Sequence, residues 1–265
     1  MVKKTGAVLL LLLCGFSSLF AQLDSALTPH LLPADSSLHT INWNTPPART
    51  PFPYKKLLLP SAFIVYGVLA LKTDGLQDWN ESVHEEFIEH PHKPFHLDNY
   101  LQWGPAATVY ALNLAGIKGK NNFRDRTIIF GMSEIMMSSV VFTVKKISHE
   151  WRPDGSDQLS FPSGHTANAF AGAEFLRLEY KDVSPWYGVA GYLMAGATGY
   201  LRMYNNKHWL GDVVAGAGVG IISTDVAYYL YPFIKRKFFK GKTVSTMIMP
   251  TYSNGAVGVG LVHAF

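Results

Sequence analysis

The sequence predicts an all-α protein: a bundle of about six core helices embedded in a membrane, with a short C-terminal tail resembling a β-hairpin. Two observations favour this fold class. Hydrophobic residues make up 48% of the 265 residues and charged residues only 16%, against about 25% charged residues in soluble domains. Between residues 57 and 233, apolar residues also recur in long segments without the alternation that is typical of β-strands.

Six apolar segments account for the predicted core helices. They cover residues 57–71, 101–117, 127–144, 165–177, 186–201 and 209–233. Several are shorter than the roughly 20 residues that span a bilayer upright, so a bundle outside the membrane stays open as an alternative. The last two segments are rich in Gly and Ala, which permits close helix contact in either environment.

The two ends of the chain differ from this core. Residues 1–22 have a basic start, an apolar centre and a C-terminal part with small residues, which predicts a secretory signal peptide, with an uncleaved anchor as the alternative. Residues 23–54 predict an extended lead-in, because they are rich in Pro, Thr, Ser and Asp. We place the folded domain at residues 55–240. The tail at 241–265 alternates around Asn254-Gly255, which predicts a hairpin.

Basic residues cluster after the second, fourth and sixth apolar segments. If all six segments span a membrane, these clusters share one side, which the positive-inside rule makes cytoplasmic. The chain before the first segment would then be cytoplasmic too, which contradicts a cleaved signal peptide. The net charge of +4 and the lack of basic tracts interleaved with aromatic residues exclude a nucleic-acid partner. The clusters are Lys118, Lys120, Arg124 and Arg126; Arg177 and Lys181; and Lys235, Arg236, Lys237, Lys240 and Lys242.

Three polar stretches fall on the opposite side of that topology. In the first, Lys145 and Arg152 are seven residues apart, about two helical turns, so we expect them on one face of a helix that ends before Pro153. In the second, "PSGH" at 162–165, we expect His165 in the first turn of a helix. Free backbone N–H groups and the helix dipole favour an anion there.

The third stretch contains Arg202, His208 and Asp212. His208 and Asp212 are four residues apart, so we expect their side chains to touch on one helix. Cationic side chains and free amides together suit a phosphate. With Asp212 holding one tautomer, the free nitrogen of His208 can attack phosphorus. His165 can then protonate the leaving oxygen and activate water.

Lys145-x6-Arg152-Pro153, Pro162-Ser163-Gly164-His165 and Arg202-x5-His208-x3-Asp212 resemble the three signature motifs of the type 2 phosphatidic acid phosphatase (PAP2) and vanadium haloperoxidase superfamily. The resemblance covers about residues 57–233. It implies a PAP2-type helical bundle, metal-free and cofactor-free hydrolysis of phosphate esters, and a phosphohistidine intermediate. One position departs from the pattern: the family usually has Ser before the third-motif Arg, and this chain has Leu201.

The resemblance also implies a role for each motif residue. His208 would be the nucleophile, Asp212 the residue that orients it, and His165 the general acid and base. No metal ligands are implied. The phosphate would be bound by cationic side chains and by backbone amides, namely Lys145, Arg152, Arg202, Ser163 and Gly164.

Two further features have ordinary interpretations. The stretch "HEEFIEHPHKPFH" at 84–96 contains four histidines, but it lacks metal-ligand spacing and is interrupted by Pro91 and Pro94. We therefore predict a solvated loop, near the substrate entrance, rather than a metal site. Glu134 lies inside an apolar segment and is predicted to face the bundle interior rather than lipid.

The leading functional hypothesis is a membrane-bound phosphatase in the cell envelope, with its active site facing the periplasm. Its substrates would be lipid phosphates or pyrophosphates of the phosphatidate, undecaprenyl pyrophosphate or lipid A type. A soluble periplasmic acid phosphatase for small phosphomonoesters is the main alternative. A vanadate-dependent haloperoxidase and a non-enzymatic lipid-phosphate-binding protein are weaker ones, because no halide site is visible and both histidines and Asp212 are intact.

Overall fold

The computed structural model describes residues 54–89, 93–238, 245–253 and 256–264. The predicted signal peptide at 1–22 and nearly all of the predicted lead-in lie outside these residues. Within the described part, the chain forms eight helices and two strands. They are α1 (Tyr54–Ala70), α2 (Asp74–Ile88), α3 (Asp98–Leu101), α4 (Gly104–Leu114), α5 (Phe123–Ser148), α6 (Gly164–Tyr180), α7 (Pro185–Tyr204), α8 (Leu210–Phe238), β1 (Ser245–Ser253) and β2 (Ala256–Ala264).

Helices α1 and α4 to α8 correspond to the six apolar segments, which confirms the predicted helical bundle. Helices α2 and α3 are additional. The loop predicted at 84–96 is wrong in its first part, because α2 continues through His84 to Ile88. The reason is visible in the sequence, where apolar residues recur three or four positions apart at Leu76, Trp79, Val83 and Phe87.

Helix α6 lies at the centre of the bundle and is buried along most of its length. Phe175 of α6 is fully buried and stacks on Phe130 of α5, with ring centroids 4.8 Å apart. Tyr180, at the end of α6, donates a hydrogen bond to the Val109 carbonyl of α4 over 3.0 Å. Helix α6 thus packs against α4, α5, α7 and α8.

Helices α6 and α8 touch backbone to backbone. A Cβ atom added at Gly220 of α8 would lie 2.2 Å from the Ala167 carbonyl oxygen, and one added at Gly216 would lie 2.5 Å from that of Ser163. Both distances are shorter than any van der Waals contact, so only glycine permits this approach. The contact fixes the first turn of α6 against the N-terminal half of α8.

Helices α5 and α8 are long and apolar enough to cross a membrane. They contain 26 and 29 residues, and a helix of 26 residues is about 39 Å long, compared with a hydrocarbon core of about 30 Å. Helices α1 and α2 meet the same test only together, and they are bent by 94° at the break between them. Apolar side chains of α5 point outward: Ile135 is 70% exposed and Phe142 is 65% exposed. These faces suit a lipid environment.

The described residues of the three basic clusters lie at one end of the bundle, as the sequence predicts. The Lys120 amide at the start of α5 donates to the Glu179 carbonyl at the end of α6 over 2.8 Å. Lys235, near the end of α8, pairs with Asp125 of α5 over 2.5 Å. The end of α5, the start of α6 and the start of α8 therefore meet at the opposite end.

The strands β1 and β2 pair antiparallel, with Ser245 opposite Ala264 and Ser253 opposite Ala256. This pairing is the hairpin that the alternating tail predicts. The turn residues Asn254 and Gly255 lie outside the described residues.

The contact between α6 and α8 predicts that Gly220→Ala destabilises the bundle. Its new methyl group would collide with the Ala167 carbonyl, and overpacking of this kind costs about 1–3 kcal/mol. Thermal unfolding in detergent measures the change. Gly131→Ala on α5 is the matched control, because nothing lies within 4 Å of its ideal Cβ position; it should raise stability slightly, as alanine favours helix by about 1 kcal/mol. Equal melting temperatures for the two variants would contradict the close contact.

Candidate active site

The first motif is split between α5 and the loop that follows it. Helix α5 ends at Ser148, because His149 adopts a left-handed backbone conformation with φ of 50°. Arg152 therefore lies in the loop, and the expectation that it shares a helix face with Lys145 is wrong. Asp157 holds Arg152 in place: its carbonyl accepts from the Arg152 amide at 3.0 Å, and its Oδ1 accepts from Arg152 Nε at 2.8 Å.

Lys145, in the last turn of α5, reaches the same loop. Its Nζ donates to the carbonyls of Leu159 and Ser160, the latter at 3.0 Å. The Ser160 amide in turn donates to the Glu150 carbonyl at 3.0 Å. The loop from residue 149 to 163 is thus folded over the end of α5. An ammonium group has three N–H donors, so one remains for an anion.

The second motif forms the start of α6, with His165 in its first turn as predicted. The Ser163 amide does not face an anion site, since it donates to the Asp212 carbonyl of α8 at 3.0 Å. Its hydroxyl contacts Thr166 Oγ1 at 2.9 Å. The Ser163 amide is therefore not available to a phosphate, whereas the amides of the first turn, including Gly164, have no intrahelical acceptor and could bind an anion.

In the third motif, His208 lies just before α8 and Asp212 lies in its first turn. The two are not on one helix as expected, yet they touch: His208 Nδ1 is 3.3 Å from Asp212 Oδ2. Ser160 Oγ donates to the same oxygen at 2.5 Å, and the Trp209 amide donates to it at 2.9 Å. Because Asp212 faces Nδ1, the Nε2 atom at the other edge of the His208 ring is left for chemistry.

Titratable groups of all three motifs lie near His208. Burial lowers the pKa of His208 well below its usual value, and the positive charges of Lys145, Arg202 and Arg152 lower it further. Burial, followed by Arg202, also lowers the pKa of His165 to about 4. Both imidazoles are therefore neutral at pH 7 in the unliganded site. A neutral His208 has the free electron pair that a nucleophile requires.

Arg202 is held by a residue that the motifs do not contain. Its Nη1 donates to Asp98 Oδ2 at 2.6 Å, and the Asp98 side chain is fully buried. Arg202 Nε is buried without a hydrogen-bond partner among the described residues. An unpaired buried donor on a cation is costly, and a phosphate oxygen would satisfy it.

The family model of the PAP2 superfamily matches residues 126–236. Over this segment the chain is similar to the PAP2 superfamily. Over 143 residues it is 40% identical to a protein of Porphyromonas gingivalis named lipid A 1-phosphatase. That alignment covers 53% of this chain and 32% of the relative, so the chain spans about a third of the relative's length.

Two solved structures are similar to this chain. LpxE of Aquifex aeolicus has 22% sequence identity and a TM-score of 0.44, covering 57% of this chain and 94% of LpxE. A transmembrane PAP2-type phosphatidylglycerolphosphate phosphatase of Bacillus subtilis has 20% identity and a TM-score of 0.44, covering 69% of this chain and 99% of that protein.

Three polar residues at the site escaped the motif analysis. Ser160 shares Asp212 with His208, Asp98 holds Arg202, and Asn99 contacts His165. Ser160 opens the stretch "SFPSGHTAN", and the polar pair at 98–99 directly precedes an apolar segment. Both signals are weak, because a single serine or an Asp-Asn pair before a helix is equally typical of a cap.

Two further polar residues lie beside the candidate site. Glu134 faces the interior as predicted: in the amide orientation that satisfies both groups, Asn168 of α6 donates to Glu134 Oε2 at 3.0 Å. His84 contacts Asn206 Oδ1 through Nε2 at 2.5 Å and packs edge-on against the Trp209 ring, with ring centroids 5.1 Å apart. His84 thus packs next to the third motif.

The geometry of Arg202 predicts that Arg202→Lys weakens binding of inorganic vanadate, a phosphate analogue. Lysine has no Nε–H donor at that position and cannot keep the Asp98 contact in the same geometry. Loss of one hydrogen bond to a charged group should weaken the affinity about 10- to 100-fold. Calorimetric titration in detergent measures it.

Lys207→Gln is the matched control for this measurement. Lys207 pairs with Asp154 over 2.5 Å in a partly exposed bridge, and such pairs contribute little. The vanadate affinity of Lys207→Gln should stay within about twofold of that of the native protein. Unchanged affinity in Arg202→Lys would show that the Nε atom does not face the anion.

Proposed function

We propose that this protein is a membrane-bound phosphatase that hydrolyses lipid phosphates or pyrophosphates through a phosphohistidine. One observation carries the proposal: a buried, neutral His208 held by Asp212 shares a site with the three motif cations, opposite a second histidine. A metal-free phosphoryl transfer needs a nucleophile, a proton donor and positive charge around the equatorial oxygens. The site contains all three.

The reaction would proceed in two steps. In the first, His208 Nε2 forms a bond to phosphorus while the bond from phosphorus to the leaving oxygen breaks, and His165 gives its proton to that oxygen. In the second, His165 takes a proton from water, whose oxygen bonds to phosphorus as the nitrogen–phosphorus bond breaks. Inorganic phosphate leaves, and both histidines return to their starting states.

His165 must be protonated in the first step although its pKa in the empty site is about 4. A bound phosphate dianion favours the imidazolium and raises that pKa. Activity on poor leaving groups should therefore fall as pH rises through the His165 pKa of the complex. His208 must be neutral, and its lowered pKa keeps it so at acid pH. Both requirements favour an acidic pH optimum.

The outward apolar faces of α5 support a lipid substrate rather than a small soluble phosphomonoester. The relative with 40% identity is named lipid A 1-phosphatase, so a lipid A-type phosphate is the first substrate to test. Apart from the two histidines, the groups proposed to face the anion are N–H donors and cations, which do not bind metal ions. We therefore expect turnover without an added metal.

The experiment is phosphate release in detergent and excess EDTA from a lipid A-type phosphate, phosphatidate, undecaprenyl pyrophosphate and para-nitrophenyl phosphate. The native protein should turn over at least one lipid phosphate, and His208→Ala should turn over none and form no phosphoenzyme. Activity that disappears with EDTA and returns with a divalent ion would contradict the metal-free reaction.

His165→Ala separates the roles of the two histidines. Without the proton of His165, the rate of lipid phosphate hydrolysis should fall about 10²- to 10⁴-fold, which is the usual contribution of general acid catalysis. Para-nitrophenyl phosphate should lose far less, because its leaving group departs with little protonation. Asp212→Asn should lie between the two histidine variants on both substrates. An equal loss on both substrates in His165→Ala would show that His165 is not the general acid.

We also propose that the site faces the periplasm and the basic end faces the cytoplasm. Cysteine placed at exposed positions near each end, in a Cys14→Ser background, tests this. Gln158→Cys should react with a membrane-impermeant thiol reagent in intact spheroplasts, and Lys118→Cys should react only after permeabilisation. Equal labelling of both before permeabilisation would indicate a bundle that does not span the membrane.

A further inference from the structure

The short helix α3 forms one wall of the candidate site, although it lies outside the matched family segment. Asn205, which follows α7, fixes the chain just before α3. Its Oδ1 accepts from the Phe95 amide at 2.8 Å, and its Nδ2 donates to the Phe95 carbonyl at 2.9 Å. The same Nδ2 donates to Asp98 Oδ1 at 3.2 Å. With the buried Asp98–Arg202 pair, these bonds hold α3 against the end of α7.

The residue after Asp98 contacts the second histidine of the site. Asn99 Oδ1 lies 2.9 Å from His165 Nε2, a normal hydrogen-bond distance. An amide oxygen only accepts, so Nε2 carries the proton and donates it to Asn99. Because Asp98 and Asn99 are consecutive, the buried ion pair places the amide that meets the imidazole.

We propose that Asn99 is a positioning residue for His165: it accepts the hydrogen bond from Nε2, fixes the ring, and leaves Nδ1 as the nitrogen that exchanges the proton. This inference rests on the proposed function. In the imidazolium, both nitrogens carry protons; the Nε2 proton stays on Nε2 in its hydrogen bond to Asn99, and the Nδ1 proton goes to the leaving oxygen. Nδ1 then accepts a proton from the attacking water.

The pairing parallels that of the first histidine. Asp212 holds His208 by Nδ1 and leaves Nε2 for phosphorus, whereas Asn99 holds His165 by Nε2. The two partners differ in charge for a physical reason. A carboxylate stabilises the positive charge that develops on a nucleophilic histidine, while a neutral amide orients His165 without keeping it protonated when it must act as a base.

Charged groups face His165 from every neighbouring element, and they set the pH behaviour that the test must read. Burial, which is the largest cause, and the positive charges lower the His165 pKa to about 4, whereas the Asp98 carboxylate raises it. A carboxylate at position 99 would favour the imidazolium and raise that pKa. The groups are Arg202 on α7, Asp98 on α3, Lys145 on α5, Arg152 in the following loop and His208 before α8.

The test compares Asn99→Ala and Asn99→Asp with the native protein on phosphatidate and on para-nitrophenyl phosphate. Asn99→Ala should lower kcat/KM for the lipid phosphate about 10- to 100-fold, part of the general-acid contribution, and leave the aryl phosphate nearly unchanged. In Asn99→Asp the alkaline limb of the pH–rate profile should move to higher pH, because His165 stays protonated up to a higher pH. Added to His165→Ala, Asn99→Ala should have no further effect.

A readout independent of turnover distinguishes this inference from the proposed function. The His165 pKa, measured by NMR on histidine-labelled protein in detergent, should rise in Asn99→Asp whether or not any phosphate is released. Tyr100→Ala is the matched control on the same helix, since its side chain is 77% exposed; it should change neither the pKa nor the rates.

An unshifted His165 pKa in Asn99→Asp would overturn the inference, as would equal losses on both substrates in Asn99→Ala. If Asn99→Ala fails to fold, the inference can still be tested by the His165 pKa in Asn99→Asp, because aspartate has nearly the same shape as asparagine. An inactive native protein with a shifted His165 pKa in Asn99→Asp would contradict only the phosphatase proposal.

Discussion

Asp212 makes the interactions on which the whole site depends. Its carboxylate accepts from the Ser160 hydroxyl and the Trp209 amide and faces the His208 ring, while its backbone carbonyl accepts from the Ser163 amide. The loop after α5, the start of α6 and the turn before α8 are thus positioned by one residue in the first turn of α8. Neutralising its side chain would disturb the loop as well as the histidine.

The cations of the site are oriented by carboxylates before any ligand binds. Asp157 holds Arg152 by one edge of the guanidinium, and Asp98 holds one terminal nitrogen of Arg202. Each guanidinium keeps other N–H groups, and Arg202 Nε is among them without a partner. If the proposed phosphate binds here, such an arrangement would reduce the reorganisation that binding requires, which is how fixed dipoles and charges stabilise a transition state. The carboxylates also limit the net positive charge of a buried site.

The sequence predicts the helical class and most core helices, because apolar periodicity is a local property. It also predicts that the three motifs meet, because their order along the helices places them at one end of the bundle. It errs where the backbone departs from a helix. The left-handed conformation of His149 places Arg152 in a loop, and His208 precedes α8 rather than lying on it. It misses Asp98 and Asn99 altogether, because their partners lie more than 60 residues away and only the packing of α3 against α6 and α7 brings them together.

The glycine contacts between α6 and α8 determine which parts of the protein can adapt. Where two backbones touch, no side chain can yield, so neither helix can slide or turn against the other. We therefore expect His165 on α6 and Asp212 on α8 to keep their spacing when a ligand binds. Helix α3 and the loop after α5 meet the site through side chains, which can change length and charge. The fold thus separates two rigidly packed helices, which carry the candidate catalytic residues, from surrounding segments whose contacts single substitutions can change.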